Sequence, residues 1–261
     1  MSGNNLDNGR FVWYEYLAKD PKSAIDFYTN VAGWKTQPFG EAGDYTMWVG
    51  SQGPLGGVMK LPSEAAKMGA PPHWMSHVQV ENVDATISRV KELGGKLHHG
   101  PEDIPTVGRF AVIGDPQGAF VSIFTPSAPM TAHDVSQAGE FCWSELMTSD
   151  MPAAFKFYSQ IFPWKMLQDM DMGPVGTYRV FGIGERQMGG MMSLPKGAPM
   201  PPSWLYYTET PDLDAAIARA TKQSAAVMNG PMDVPGGGRV AQLMDPQGAV
   251  FALHQAPKKA A

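Results

Sequence analysis

The chain has 261 residues, 43% hydrophobic and 17% charged, enough for two ordinary domains with real cores and unlike a disordered or fibrous protein. A net charge of -5 with scattered lysines and arginines argues against a nucleic-acid partner, and no apolar run approaches the roughly 20 residues that span a bilayer. The polar start, Met1 to Arg10, carries no signal-peptide pattern, so a soluble cytoplasmic protein is expected; the single Cys142 excludes an intrachain disulfide.

Residues 11–17 are aromatic and β-branched, as a strand requires. Asp20 then caps a helix opening on Pro21, with Ala24, Phe27, Tyr28 and Val31 as its apolar stripe and Gly33 near its end. Strands are predicted over 45–49, 56–61 and 73–80, followed by a helix whose apolar face is Val83, Ile87 and Val90 and which stops at Gly94-Gly95. Strands over 109–113 and 119–124 are joined by a type I turn, Asp115-Pro116-Gln117-Gly118. His98-His99 reads as a solvated loop pair.

The same order then recurs. Trp13-Tyr14-Glu15, Asp20, Phe27-Tyr28 and Trp34 return 130 residues later as Trp143-Ser144-Glu145, Asp150, Phe157-Tyr158 and Trp164. Gly108-Arg109 returns as Gly238-Arg239, and Asp115 to Ala119 returns unchanged as Asp245 to Ala249. Gly56-Gly57 matches Gly189-Gly190 at an offset of 133, which places a three-residue insertion ahead of the second pair. The Pro-containing stretch 126–138 is the expected join, dividing the chain into domains 1–128 and 129–261.

Four βαβββ-like modules carrying this ordered set resemble the vicinal oxygen chelate superfamily of glyoxalases, bleomycin-resistance proteins and extradiol dioxygenases. The resemblance implies an α+β fold in which tandem βαβββ modules form two curved, incomplete β-barrels with flanking helices. It also implies a cavity for a small molecule, and leaves the reaction open.

Metal-dependent members place His or Glu on four strand positions. Here the first holds Trp13 and Trp143, the second falls near Gly57 to Met59 and Gly190 to Met192, the third holds Met75 and Leu205, and the fourth Ser122 and Ala252. Zinc, iron and manganese need imidazole, carboxylate or thiolate donors, so no metal and no other cofactor is expected there. A site displaced by two residues would draw on Glu15 and His77 in one half and on Glu145, Tyr207 and His254 in the other.

Glu15 and Glu145 share strand parity with Trp13 and Trp143, so each is either a buried general base or ligand anchor, or a structural partner of Arg109 or Arg239. Arg109 and Arg239 could equally hold an anionic ligand. His77 and His254 are acid-base candidates or satisfied core histidines, and Trp13, Trp143, Met75 and Ser122 are candidate ligand-lining groups. The second half, with Glu145, Tyr207 and His254, reads as the better proton-transfer site, with Glu145 beside Tyr207. The leading expectation is a metal-independent small-molecule-binding protein. A lyase, isomerase or hydroxylase-type enzyme and a protein-interaction scaffold are the alternatives.

Overall fold

The computed structural model describes residues 8–40 and 43–257. Most of the polar opening stretch, residues 1–7, lies outside them. Module one runs β1 (Phe11–Ala18), α1 (Pro21–Ala32), β2 (Lys35–Phe39), β3 (Tyr45–Gly50) and β4 (Gly53–Lys60), with a short α2 (Ser63–Lys67) after it. Module two is β5 (His73–Gln79), α3 (Val83–Glu92), β6 (Lys96–Ile104), β7 (Gly108–Gly114) and β8 (Phe120–Pro126). Module three is β9 (Phe141–Thr148), α4 (Met151–Ser159), β10 (Lys165–Asp171), β11 (Thr177–Ile183) and β12 (Arg186–Ser193). Module four is β13 (Ser203–Glu209), α5 (Leu213–Lys222), β14 (Ala226–Asp233), β15 (Arg239–Met244) and β16 (Val250–Gln255).

The strands form two open eight-stranded sheets, ordered β2-β3-β4-β1-β5-β8-β7-β6 and β10-β11-β12-β9-β13-β16-β15-β14. This is the α+β fold the resemblance implies. Local chemistry sets the elements as expected: Asp20 accepts from the amides of Lys22 and Ser23, Pro21 opens α1, and Gly33 closes it at φ 76° in the left-handed region. The three-residue insertion lies between β10 and β11, where Gly173–Val175 makes one 3-10 turn.

Two strands of the first half escaped the pattern reading, as did their counterparts β10 and β14 in the second. β2 is exposed throughout and contains Pro38, and β6 is exposed or half-buried and contains Pro101. Both are sheet-edge strands, where polar residues and proline are tolerated and no alternation is imposed. His98 and His99 therefore sit on β6, not in a loop; His98 packs edge-on against Phe120, and His99 lies 3.3 Å from Glu102.

By backbone contacts the chain forms two compact units, each built from both halves. Modules two and three make one unit (Met1–Val12, Met75–Ala132, Trp143–Trp204), and modules one and four make the other (Trp13–Trp74, His133–Cys142, Leu205–Ala261).

In the one-four unit an aromatic core gathers Tyr28, Trp34, Trp48, Trp74 and Phe251. Tyr14 stacks on Phe141 at 3.8 Å. The polar tips of this core converge on Asp245. Its Oδ2 accepts from the hydroxyls of Tyr16 (2.6 Å) and Tyr28 (2.9 Å), while Oδ1 holds the turn amides of Gln247 and Ala249. Trp74 Nε1 donates to Tyr28 in turn, at 2.9 Å. The two-three unit repeats the arrangement in part: Asp115 Oδ1 caps the amides of Gln117, Gly118 and Ala119, and Trp204 Nε1 donates to Tyr158, whose hydroxyl faces Asp115, while Asp115 Oδ2 is buried without a hydrogen-bond partner among the described residues. In the one-four unit the Phe-Tyr and Asp-Pro-Gln-Gly motifs are therefore bonded to each other. Burial raises the Asp115 carboxyl above the usual range, against the pull of these donors.

Candidate functional site

Alternation along β1 turns Tyr14 and Tyr16 into the core and leaves Trp13 and Glu15 on the opposite face. Beside them, Glu15 pairs in register with Gly57 of β4, and Gly57 pairs with Met47 of β3. Tyr45, on the same face of β3, reaches across Gly57. A β-carbon added to Gly57 would lie 2.2 Å from the Tyr45 hydroxyl oxygen, so only glycine leaves room for the ring. The hydroxyl accepts from Trp13 Nε1 at 2.7 Å and is hydrogen-bonded to Glu15. Burial first, and then the Glu15 charge, push the Tyr45 hydroxyl well above the ordinary tyrosine value.

The two-three unit holds the same cluster. Trp143 Nε1 donates to the Tyr178 hydroxyl at 2.8 Å, and that hydroxyl donates to Glu145 Oε2 at 2.9 Å. Glu145 is 8% exposed, and a β-carbon on Gly190 would meet Tyr178 at 2.1 Å. The preceding glycines serve a different end: a β-carbon on Gly56 or Gly189 would lie about 2 Å from the carbonyl of Tyr14 or Ser144 on the neighbouring strand. Each Gly-Gly pair thus has one glycine for strand approach and one for a tyrosine.

The residues at the other candidate positions differ between units. In the two-three unit His77 is buried, with the rings of Phe110 and Phe124 5.9 and 6.2 Å away. Beside it lies Ser122, which donates to the Ala111 carbonyl; Met75 is also buried. In the one-four unit the corresponding positions are Tyr207, whose hydroxyl accepts from Gln242 at 2.9 Å, and Ala252, its register partner. His254 there lies against Glu209, Nδ1 to Oε2 at 2.5 Å.

Several expectations change on this geometry. Glu145 and Tyr207 fall in different compact units, so the anticipated pair is replaced by Glu145 with Tyr178, and Tyr207 with Gln242. Arg109 and Arg239 are held by aspartates at the surface: Arg109 forks onto Asp84 and also meets Asp103, and Arg239 forks onto Asp214. Tyr45 and Tyr178 were not singled out from the sequence, although the offset of 133 that aligns the glycine pairs aligns them too.

A sequence profile described as Glyoxalase/Bleomycin resistance protein/Dioxygenase superfamily matches residues 10–123 and 141–253. The chain belongs to this superfamily. Among relatives, CFP32 of Mycobacterium bovis, provisionally named a glyoxylase, is 32% identical over 251 residues, covering 95% of each chain. The anthracycline biosynthesis protein DnrV of Streptomyces peucetius is 29% identical, covering 94% of this chain and 92% of its own. In fold, the superfamily member resembles the 2,3-dioxygenase LapB of Pseudomonas sp. KL28 (TM-score 0.67, 11% identity, 98% and 95% coverage). It also resembles a Mn(II)-bound glyoxalase of Novosphingobium aromaticivorans (TM-score 0.63, 14% identity, 95% and 82% coverage).

The residues at the superfamily's metal positions do not fit a metal. Trp13 and Trp143 present indole N–H groups, which only donate and are already bonded to tyrosines. The glycines at the second position are covered by those tyrosine rings, and Met75, Leu205 and Ala252 offer no nitrogen or charged-oxygen donor. Ser122 spends its hydroxyl on a backbone carbonyl.

Proposed function

We propose that the protein binds a small organic molecule without a metal, using the Trp-Tyr-Glu cluster of each unit as the polar floor of a mostly apolar site. The observation that carries this is the Tyr178 hydroxyl standing over Gly190, fixed between Trp143 Nε1 and Glu145. A tyrosine so held adds a pre-organised hydroxyl and carboxylate at the place where metal-dependent relatives bind their ion. Orientation by a few fixed polar groups inside an apolar wall is how small-molecule sites select ligands. In the two-three unit Met75, His77, Phe110 and Phe124 are the groups that would supply that wall.

A second reading rests on the same hydrogen bond. A buried glutamate joined to a tyrosine is a proton-transfer pair, and His77 in that unit is a further acid-base group. Lyase or isomerase chemistry on a bound carbonyl compound would use them.

The anthracycline-biosynthesis name of one relative makes hydroxylated polycyclic quinones the first ligands to try. Titration with such compounds, followed by ligand fluorescence and calorimetry, tests the proposal. Saturable binding weakened about tenfold or more by Glu145→Gln and by Tyr178→Phe is the expected result; the first removes the charge of the acceptor and the second the hydrogen bond to it, an interaction of roughly 1.5–3 kcal/mol. Binding unaffected by both substitutions and by their counterparts Glu15→Gln and Tyr45→Phe would overturn it. Turnover of the compound, lost in Glu145→Gln with binding retained, would select the second reading.

A further inference from the structure

We infer that the one-four unit carries a zinc-type metal site made of Cys142, Glu209 and His254, away from the positions its superfamily uses. The three residues come from three strands, β9, β13 and β16, and their Sγ, carboxylate and imidazole donor atoms all lie within 4.8 Å of one another. Ligand atoms in a tetrahedral zinc site stand roughly 3–4 Å apart, so small side-chain rotations would close the set around an ion.

Placement by the fold is direct. Glu209 and His254 are register partners on adjacent parallel strands, and Cys142 Sγ lies 3.4 Å from the Tyr207 carbonyl on the same β13. The Glu209 carboxylate is anchored at its other oxygen, where Oε1 accepts from the Ala256 amide and leaves Oε2 toward His254. Such outer-shell bonds orient metal-ligating carboxylates.

The internal repeat supplies an independent reason. At the offset of 130, Cys142, Glu209 and His254 correspond to Val12, Gln79 and Phe124. None of the three has a donor that zinc favours. The three donor-bearing residues, including the chain's single cysteine, thus occur together in one unit and at one point. A thiolate, an imidazole and one carboxylate select zinc-like ions over magnesium or calcium, and three protein ligands leave a fourth position for water. On coordination the thiol gives up its proton to solvent, and the imidazole binds through a ring nitrogen that carries no proton.

This site is distinct from the Trp-Tyr-Glu clusters and stands or falls apart from them. None of Cys142, Glu209 and His254 belongs to either cluster. The test is to strip the full chain with chelator and titrate it with cobalt(II), then zinc(II). The expected result is one equivalent of cobalt giving a thiolate-to-metal charge-transfer band and four-coordinate visible bands, both abolished by zinc. Cys142→Ser should remove the charge-transfer band, and His254→Gln should weaken binding by more than the 10- to 100-fold typical of losing an outer-shell partner. Replacing the exposed pair His98 and His99 with Gln should change neither. Wild-type protein without the charge-transfer band would overturn the inference whatever the variants do. So would cobalt binding that survives Cys142→Ser or disappears with the His98/His99 substitutions.

Discussion

The hydroxyl of Tyr28 on α1 donates to Asp245, 217 residues along the chain, at 2.9 Å. Asp245 is the first residue of the last Asp-Pro-Gln-Gly turn, so the bond joins the first module to the fourth. In the other unit Tyr158 of module three faces Asp115 of module two, whose Oδ2 accepts no hydrogen bond among the described residues. Asp245 thus both shapes a turn and accepts from a helix of the module with which it shares a compact unit.

Replacing Tyr28 with Phe should therefore destabilise the protein by about 1–3 kcal/mol, because Asp245 loses a buried donor and Trp74 Nε1 loses its acceptor. Tyr158→Phe should cost less, because Trp204 Nε1 loses its acceptor but no hydrogen bond to Asp115 is broken. Urea unfolding curves measure both. A Tyr28→Phe protein with wild-type stability would show that the bond does not hold the unit together.

Gly190→Ala is a sharper probe of the site than any polar substitution. It adds one methyl group, changes no hydrogen-bonding atom and forces the Tyr178 ring off the glycine it covers. Overpacking of this kind costs typically about 1–3 kcal/mol. Ligand affinity should fall alongside stability, and a crystal structure should show Tyr178 displaced from Trp143 and Glu145. An alanine variant that binds as tightly as wild type would mean that the position of Tyr178 is immaterial.

Acid stability offers a third check. Arg179, next to Tyr178, is the register partner of Asp169 and forks onto it at 2.6 and 2.8 Å, holding the Asp169 carboxyl below its ordinary value of 3.8. A carboxyl lowered by folding stabilises the native state at neutral pH, and that contribution is lost as pH falls from the ordinary value through the folded one. Arg179→Met should thus lower stability at pH 7 by less than about 1 kcal/mol, since the pair is partly solvated, with the deficit vanishing below the ordinary carboxylate range. A deficit that persists undiminished in strong acid would instead assign the loss to packing, namely the contact of Arg179 with the Phe155 ring.

Elements defined by local chemistry were legible in the sequence. Asp20, Pro21 and Gly33 bracket α1, and the four residues of its stripe are those it buries. The fold followed from the ordered repeat. The edge strands β2 and β6 were not legible, because an exposed strand needs no apolar alternation and can hold proline. Half the cluster was visible as Trp13 with Glu15 and Trp143 with Glu145. The tyrosine between them was hidden, because the insertion before β11 breaks the simple repeat at that point. The expected pairing of Glu145 with Tyr207 failed for another reason. Periodicity tells which face of a strand a residue occupies, whereas the choice of module partner is made by long-range bonds such as Tyr28 to Asp245.

The central claim, ligand binding by a tyrosine-glutamate pair in place of a metal, is met most directly by one equilibrium titration. The protein would carry Cys142→Ser, which silences the separate zinc-type site, and the best ligand of the quinone series would be titrated before chelation, after chelation, and after adding back iron(II), manganese(II) or zinc(II). Affinity and stoichiometry unchanged across all conditions, with Tyr178→Phe weakening binding in each, is the predicted result. Binding that vanishes on chelation and returns with one of the metals would contradict it.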